Sequence, residues 1–193
     1  MRYVRMAGTA PGRKATEIYP VISDFSRYPE LTDAVRSVAV LELGGGRTGC
    51  SWEVTFRRGI LKWTEEDRYD AENHRVDFFL EEGDLDHLVG HWQVLDTDDG
   101  CRVVFSCDFD MGIPTLAEVI EPIAEQTLRD YIAVILRALV DGIVIDAYGD
   151  GDPSGGDAEG NSTEGDSTEG NSTEGDDAEG AADGRLAVDG GRR

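Results

Sequence analysis

The chain has 193 residues, of which 40 are acidic and 18 are basic, and its formal net charge at pH 7 is −22. Nucleic acids and anionic membrane surfaces are bound by clusters of Lys and Arg, and the sequence has no basic stripe with interleaved aromatic residues. The composition therefore excludes nucleic acid as a partner and argues against membrane insertion.

Composition changes sharply after residue 148. Residues 149–193 are dominated by Gly, Asp, Glu, Ser and Thr, and residues 161–175 consist of three five-residue repeats, NSTEG, DSTEG and NSTEG. A segment this polar cannot bury enough apolar surface to offset the entropy cost of ordering it. We therefore predict one folded domain over residues 1–148 and a disordered acidic tail over residues 149–193.

The sequence indicates neither a disulfide framework nor a metal site. Its three cysteines, Cys50, Cys101 and Cys107, are odd in number and lack CxxC spacing, so buried thiols are expected. The N-terminal stretch lacks the apolar segment of a signal peptide, and charged residues interrupt the most apolar run, residues 132–148. These features predict a soluble cytoplasmic protein.

The chain begins with a strand and two short helical segments. Residues 1–10 alternate as in a strand that the following Pro-Gly pair ends. Residues 13–25 then place apolar side chains at helical spacing, with Pro20 as a break or kink. A second helical piece covers residues 28–35.

Six strands follow, separated by turn sequences, and one long helix comes last. The strands cover residues 35–43, 48–57, 60–69, 74–82, 86–95 and 101–111. The helix runs from Leu116 to about Val144, with a capping box formed by Thr115 and Glu118. Consecutive hairpins with segregated helices predict an α+β fold, in which a seven-stranded antiparallel sheet curls around the C-terminal helix.

The predicted strand GILKWTEEDRYD, residues 59–70, has no clean apolar face. One face carries Leu61, Trp63, Glu65, Asp67 and Tyr69, and the other carries Ile60, Lys62, Thr64, Glu66 and Arg68. Either this strand lies at an edge of the sheet, or its inner face looks into a space that can hold polar groups.

Three short motifs carry a resemblance to a known superfamily. YPEL at residues 28–31, HW at residues 91–92 and DFDM at residues 108–111, together with the order of elements, resemble the START/Bet v1-like (SRPBCC) superfamily. Within it, the chain resembles the bacterial aromatase/cyclases of polyketide synthesis. The entry sequence DFSRYPE is also similar to that of the coenzyme Q-binding and RatA-like branch.

The resemblance implies a helix-grip fold and a polyketide cyclase or aromatase. Such an enzyme directs aldol cyclisation and dehydration of a carrier-bound poly-β-ketone in an internal cavity, with no metal or organic cofactor. The ligand would be a small-molecule polyketide, and an acyl carrier protein would be a candidate partner.

The resemblance also implies that Arg68 faces the cavity, and with it Lys62, Thr64 and Glu66 on the same face of the strand. An arginine there could stabilise a developing enolate, and Glu66 could hold it in place or move a proton. The family usually has a small hydroxyl residue near the position of Glu66. The alternative is an Arg68–Glu66 ion pair on an exposed strand.

Four further residues match substrate-binding positions of the family. They are Tyr28, Trp92, Phe105 and Tyr131, although each could also be an ordinary core aromatic, Phe105 in particular.

A second pocket arginine of the relatives corresponds here to Phe79, which makes the cavity more apolar. This change favours the alternative function, a non-catalytic carrier of a lipid or isoprenoid quinone. A RatA-type interaction module is a third possibility, against which the acidic balance counts.

Overall fold

The structure is a computed structural model that describes residues 1–146. The predicted acidic tail, residues 149–193, lies outside the described residues. Eight strands form one antiparallel sheet in the order β2-β3-β4-β5-β6-β7-β1-β8. They are β1 Arg2–Pro11, β2 Val35–Gly44, β3 Arg47–Phe56, β4 Gly59–Asp70, β5 Arg75–Gly83, β6 His87–Thr97, β7 Gly100–Asp110 and β8 Val144–Ile145.

The helices lie in two groups along the chain. Between β1 and β2 come α1 (Ala15–Ile22), a single 3₁₀ turn (Phe25–Arg27) and α2 (Tyr28–Leu31). After β7, a 3₁₀ turn leads into the long helix α3 (Ala117–Leu139). The predicted α+β arrangement, a sheet with a long C-terminal helix, is confirmed.

The C-terminal end of α3 differs from its prediction. The helix stops at Leu139 because Val140 is extended, with φ −125° and ψ 99°, and Gly142 takes a left-handed φ of +73°. The chain then adds β8, which pairs with Gly8 and Thr9 of β1. This two-residue strand is too short to leave a periodic signal in the sequence, so the predicted sheet has one strand fewer.

The N-terminal end of α3 also differs. The helix begins at Ala117, and its first position is preceded by Leu116, whose side chain cannot cap it. The predicted capping box of Thr115 and Glu118 is therefore wrong, since the 3₁₀ turn Pro114–Leu116 occupies the place of the cap.

The core lies between the concave face of the sheet and the apolar stripe of α3. The stripe carries Ile132, Ile135 and Leu136, which are all buried. Strand β7 is buried along most of its length because it lies between β6 and β1 in the sheet. The three cysteines are buried and unpaired in the part of the chain that the structure describes.

Helix α1 closes one end of this core. The backbone N–H of Ala15 donates to Asp96 Oδ1 of β6 at 2.8 Å, which fixes the helix start on the sheet. Further on, the Tyr28 hydroxyl donates to the carbonyl of Ile22 at 2.7 Å, so the end of α1 is tied to the start of α2.

Two kinds of feature are missing from residues 1–146. No helix there has the length and apolar character needed to cross a membrane. The same residues contain no group of three or more His, Cys, Asp or Glu side chains that could hold a metal ion.

Candidate functional site: a cavity between the sheet and helix α3

A cavity lies between the concave face of the sheet and α3. It encloses about 930 Å³, counting the space at its open mouth. Ten aromatic residues line it: Phe25, Tyr28, Trp52, Phe56, Trp63, Phe78, Trp92, Phe105, Phe109 and Tyr131. All three tryptophans of the chain are among them. Most of the remaining wall is aliphatic, so the cavity is a largely apolar chamber.

Strand β4 turns one of its two mixed faces into this cavity. Leu61, Trp63 and Glu65 line the wall, so the odd-numbered positions point inward. Partial burial of the Trp63 ring and the Leu61 side chain removes more apolar surface from water than the residues of the other face could offer. Because β4 lies between β3 and β5, the sheet-edge explanation for its mixed pattern is wrong and the cavity explanation is confirmed.

The predicted inner face of β4 is therefore wrong. Lys62, Thr64, Glu66 and Arg68 alternate with the cavity residues and lie on the convex face. Arg68 Nε donates to Glu66 Oε1 at 2.7 Å, and the Arg68 side chain is 63% exposed. The surface ion pair, which was the alternative, describes these two residues.

The convex face also holds Phe79, which the prediction placed in the pocket. The Arg68 guanidinium lies 4.4 Å from the centroid of the Phe79 ring, a cation–π contact. Glu66 accepts a second hydrogen bond, from Arg47 Nη1 at 2.9 Å. These two donors, Arg68 first and then Arg47, hold the pKa of Glu66 below its ordinary value.

Tyr28, Trp92, Phe105 and Tyr131 do line the cavity, and their roles in binding remain a prediction. The Trp92 and Phe105 rings contact each other with centroids 4.7 Å apart. The Tyr131 hydroxyl donates to the carbonyl of Thr55 at 2.6 Å. Since the Tyr28 hydroxyl is also bound to a backbone carbonyl, both tyrosines present mainly their apolar rings to the cavity.

One glycine makes room for the aromatic wall. A Cβ atom at Gly90 of β6 would lie 2.4 Å from Cζ of Phe78, so only glycine lets this ring cross the strand. The Phe78 ring then stacks on Phe105, with centroids 5.9 Å apart and planes 19° apart.

Glu65 is the one carboxylic acid among the described residues that line the cavity, and no sequence motif singled it out. It is 4% exposed and accepts a hydrogen bond from Trp63 Nε1 at 2.7 Å. Burial, and secondly the charge of Asp67, raise the pKa of Glu65 to about 8. The carboxyl group is therefore mostly protonated at neutral pH, although the indole N–H groups of Trp63 and Trp52 favour its charged form.

Asp67 lies one alternation further along the same face of β4. It is 3% exposed, and neither of its carboxylate oxygens has a hydrogen-bond partner among the described residues. Burial raises its pKa to about 6. The neighbouring Cys50 thiol lowers the pKa of Asp67 slightly but lies outside hydrogen-bond geometry.

The sequence contained a signal for this site. Trp63 and Leu61 share a face with Glu65, and a face with a tryptophan and a leucine is more apolar than one with Lys62 and Arg68. Reading the strand by its largest apolar residues would have placed Glu65 inside.

A family model matches residues 12–134 of the chain, and its description is polyketide cyclase / dehydrase and lipid transport. No curated protein sequence matches the chain significantly.

Solved structures share the fold. A Thermus thermophilus protein is 26% identical, with 72% of this chain and 95% of that chain covered and a TM-score of 0.65. A START superfamily protein of Mycobacterium smegmatis is 19% identical, with 72% and 97% covered and a TM-score of 0.61. The Zhui aromatase/cyclase of a Streptomyces species is 21% identical, with 71% and 93% covered and a TM-score of 0.57. The predicted START/Bet v1-like helix-grip fold is confirmed.

The position of Glu65 predicts how stability depends on pH. Its folded pKa of about 8 lies above its ordinary value of 4.5, so its contribution to stability is complete below about pH 4.5 and is lost as pH rises through about 8. Between about pH 6 and about pH 9, we expect the free energy of unfolding in urea to fall on the order of 2 kcal/mol more in the unaltered protein than in Glu65→Gln.

Glu66→Gln is the matched control for this experiment, because it makes the same atomic change on the convex face. The pKa of Glu66 is lowered, so that residue stays ionised across the whole range and the variant should keep the pH slope of the unaltered protein. An equal slope in Glu65→Gln and the unaltered protein would contradict a buried, protonated Glu65.

Proposed function

We propose a function from the premise that the chain belongs to the polyketide cyclase / dehydrase and lipid transport family: its cavity binds and holds one small, largely apolar ligand. The observation that carries this proposal is the lining of the cavity. Aromatic and aliphatic side chains make up nearly all of the wall, and within the described residues no Lys, Arg or His lines it. Binding within such a wall removes apolar ligand surface from water, which is energetically favourable.

The cavity has the rigidity that a binding role needs. Its rings are held by one another, for example the stacked pair Trp52 and Trp63, whose centroids are 5.8 Å apart and whose planes differ by 7°. A wall that is already ordered loses little entropy when a ligand enters.

The ligand class in this proposal is a lipid, an isoprenoid quinone or a similarly apolar molecule, and the protein acts as its carrier in the cytoplasm. The position of Arg68 supports a carrier over an enzyme that steers enolates with this arginine, because the guanidinium is bound on the convex face. Glu65 then provides one polar contact inside the chamber.

A polyketide cyclase or dehydratase is the second candidate, and Glu65 is the observation that favours it. A carboxyl group that stays protonated at neutral pH can act as a general acid. In this version the proton of Glu65 moves to the carbonyl oxygen that an enolate carbon attacks, and a carbon–carbon bond forms to give a β-hydroxy ketone. The Glu65 carboxylate then takes a proton from the carbon adjacent to the carbinol, a carbon–carbon double bond forms, and the hydroxyl group leaves as hydroxide. The poly-β-ketone would arrive on an acyl carrier protein.

The carrier proposal predicts that the purified protein retains an apolar small molecule. We expect mass spectrometry of an organic extract to find about one such molecule per chain. Ala124 lines the cavity and is 6% exposed, so Ala124→Trp should fill the space and abolish retention. Val134→Trp makes a similar enlargement at a position of the same helix that is 43% exposed, and it should retain the molecule.

Both variants are first checked by thermal unfolding, so that loss of the ligand is compared between folded proteins. Equal retention in the two variants would show that the molecule adsorbs elsewhere, and an empty unaltered protein would count against the carrier.

The cyclase candidate predicts a change in the products of a minimal polyketide synthase supplied with malonyl units. We expect the protein to change the ring pattern of the products. Glu65→Gln should reduce the amount of the altered product at least about tenfold, and Arg68→Ala should leave that amount unchanged, because only Glu65 of these two residues faces the cavity. An unchanged product profile would exclude the cyclase for these substrates. A shift lost in Arg68→Ala would contradict the site described here.

A further inference from the structure

Two buried acids lie side by side on the inner face of β4 without a positive partner. Glu65 lines the cavity, and Asp67 follows on the same face, with exposures of 4% and 3%. Among residues 1–146, no salt bridge involves either carboxyl group. Buried carboxylates are normally paired or fully hydrogen-bonded, so this pair is an unusual feature of the interior.

Two indole N–H groups near Glu65 favour its charged form, against the larger effects of burial and Asp67. Trp63 Nε1 donates to it at 2.7 Å. Trp52 Nε1 is buried and has no hydrogen-bond partner by geometry, yet it acts on Glu65 in the same direction as Trp63 and lowers its pKa. Trp63 thus provides one donor for an anion, and Trp52 provides a nearby buried N–H group that has no partner among the described residues. What the described part of the chain does not provide is a positive charge to accompany it.

Asp67 is a second buried acid near Glu65 that a cation would stabilise. Both of its oxygens are unpartnered, and its negative charge acts on Glu65. A carboxylate with no donor leaves a local negative potential in a medium of low dielectric constant, where charges interact strongly.

Aromatic rings surround the same place. Trp52 packs against Trp63 and also contacts the rings of Phe25 and Tyr28, with centroids 5.5 Å and 5.9 Å apart. The faces of such rings attract cations, and tryptophan is the strongest of the three aromatic types in this respect. The Glu65 carboxyl group and aromatic rings therefore lie together in the wall of an apolar chamber.

We propose that the ligand carries a protonated amine on an apolar body, with the ammonium group on Glu65 and against the rings of Trp52 and Trp63, and the apolar part along the aromatic wall. This inference rests on the proposed ligand-binding function and specifies the polar group of the ligand. A primary ammonium would donate to Glu65 while the indole N–H groups complete the acceptor sites of the carboxylate.

The proposal fixes the direction of the pH dependence. Other titratable groups near Glu65 are Asp67 and Tyr69 on its own strand, Cys50 on β3, Cys107 on β7 and Tyr28 on α2. The thiols and phenols stay neutral at and below pH 8, because burial raises their pKa values. An amine requires ionised Glu65, so its affinity should rise as pH increases from about 6 to about 8. A neutral ligand that accepts a hydrogen bond from protonated Glu65 should show the opposite trend.

The test compares n-octylamine with n-octanol, which have the same alkyl chain, using the full-length protein. Binding is followed by tryptophan fluorescence, since all three tryptophans line the cavity. The titrations are made at about 0.5 M NaCl, which screens attraction of the amine to the acidic surface. We expect the amine to bind at least about tenfold more tightly than the alcohol at about pH 8, with affinity that rises from about pH 6.

Two isosteric variants complete the test. Glu65→Gln should reduce the affinity for the amine to that for the alcohol, and Glu66→Gln should leave the amine preference intact. An alcohol that binds as tightly as the amine, or amine affinity that falls with rising pH, would overturn the ammonium inference and leave the apolar-ligand function standing. Failure of both probes to bind would overturn the proposed function and the inference with it.

Discussion

The alternation of side chains along strand β4 is the constraint on which the site depends. A strand presents successive residues to opposite faces, so burial of Trp63 and Leu61 fixes the direction of every neighbour. Glu65 is carried into the cavity by this geometry and Arg68 is carried out of it. A shift of one residue would reverse both and bury the guanidinium. The strand therefore places an acid, and not a base, in the chamber of this helix-grip protein.

Placing the Glu65 carboxyl group in an apolar cavity has a cost in desolvation. Desolvation disfavours the charged carboxylate and raises the pKa of Glu65 to about 8, while indole N–H groups act in the opposite direction. The apolar wall offsets this desolvation, because burial of each aromatic side chain contributes on the order of 2 kcal/mol. Glu66, one position along, is also buried, but its carboxylate pairs with the exposed side chains of Arg68 and Arg47.

Much of the fold could be predicted from the sequence, because hairpin turns rich in Gly and Asp delimit the strands and a long apolar periodicity marks α3. The end of α3 and strand β8 could not, since Val140 and the two residues of β8 carry no periodic signal. The sequence correctly predicted that three residues line the cavity: Tyr28, Trp92 and Tyr131. The polar site was not, because the resemblance drew attention to the arginine of the strand, while the physical information lay in the tryptophan beside Glu65.

The most direct test of this account is the titration of the Glu65 carboxyl carbon by ¹³C NMR, with the resonance assigned by its absence in Glu65→Gln. The account predicts a midpoint of about 8, because the group is buried beside Asp67 in an apolar cavity. A midpoint near the ordinary value of 4.5 would mean that Glu65 is solvated or paired with a cation of the chain. Such a result would contradict the buried, protonated Glu65 and the general-acid and ammonium proposals that depend on it.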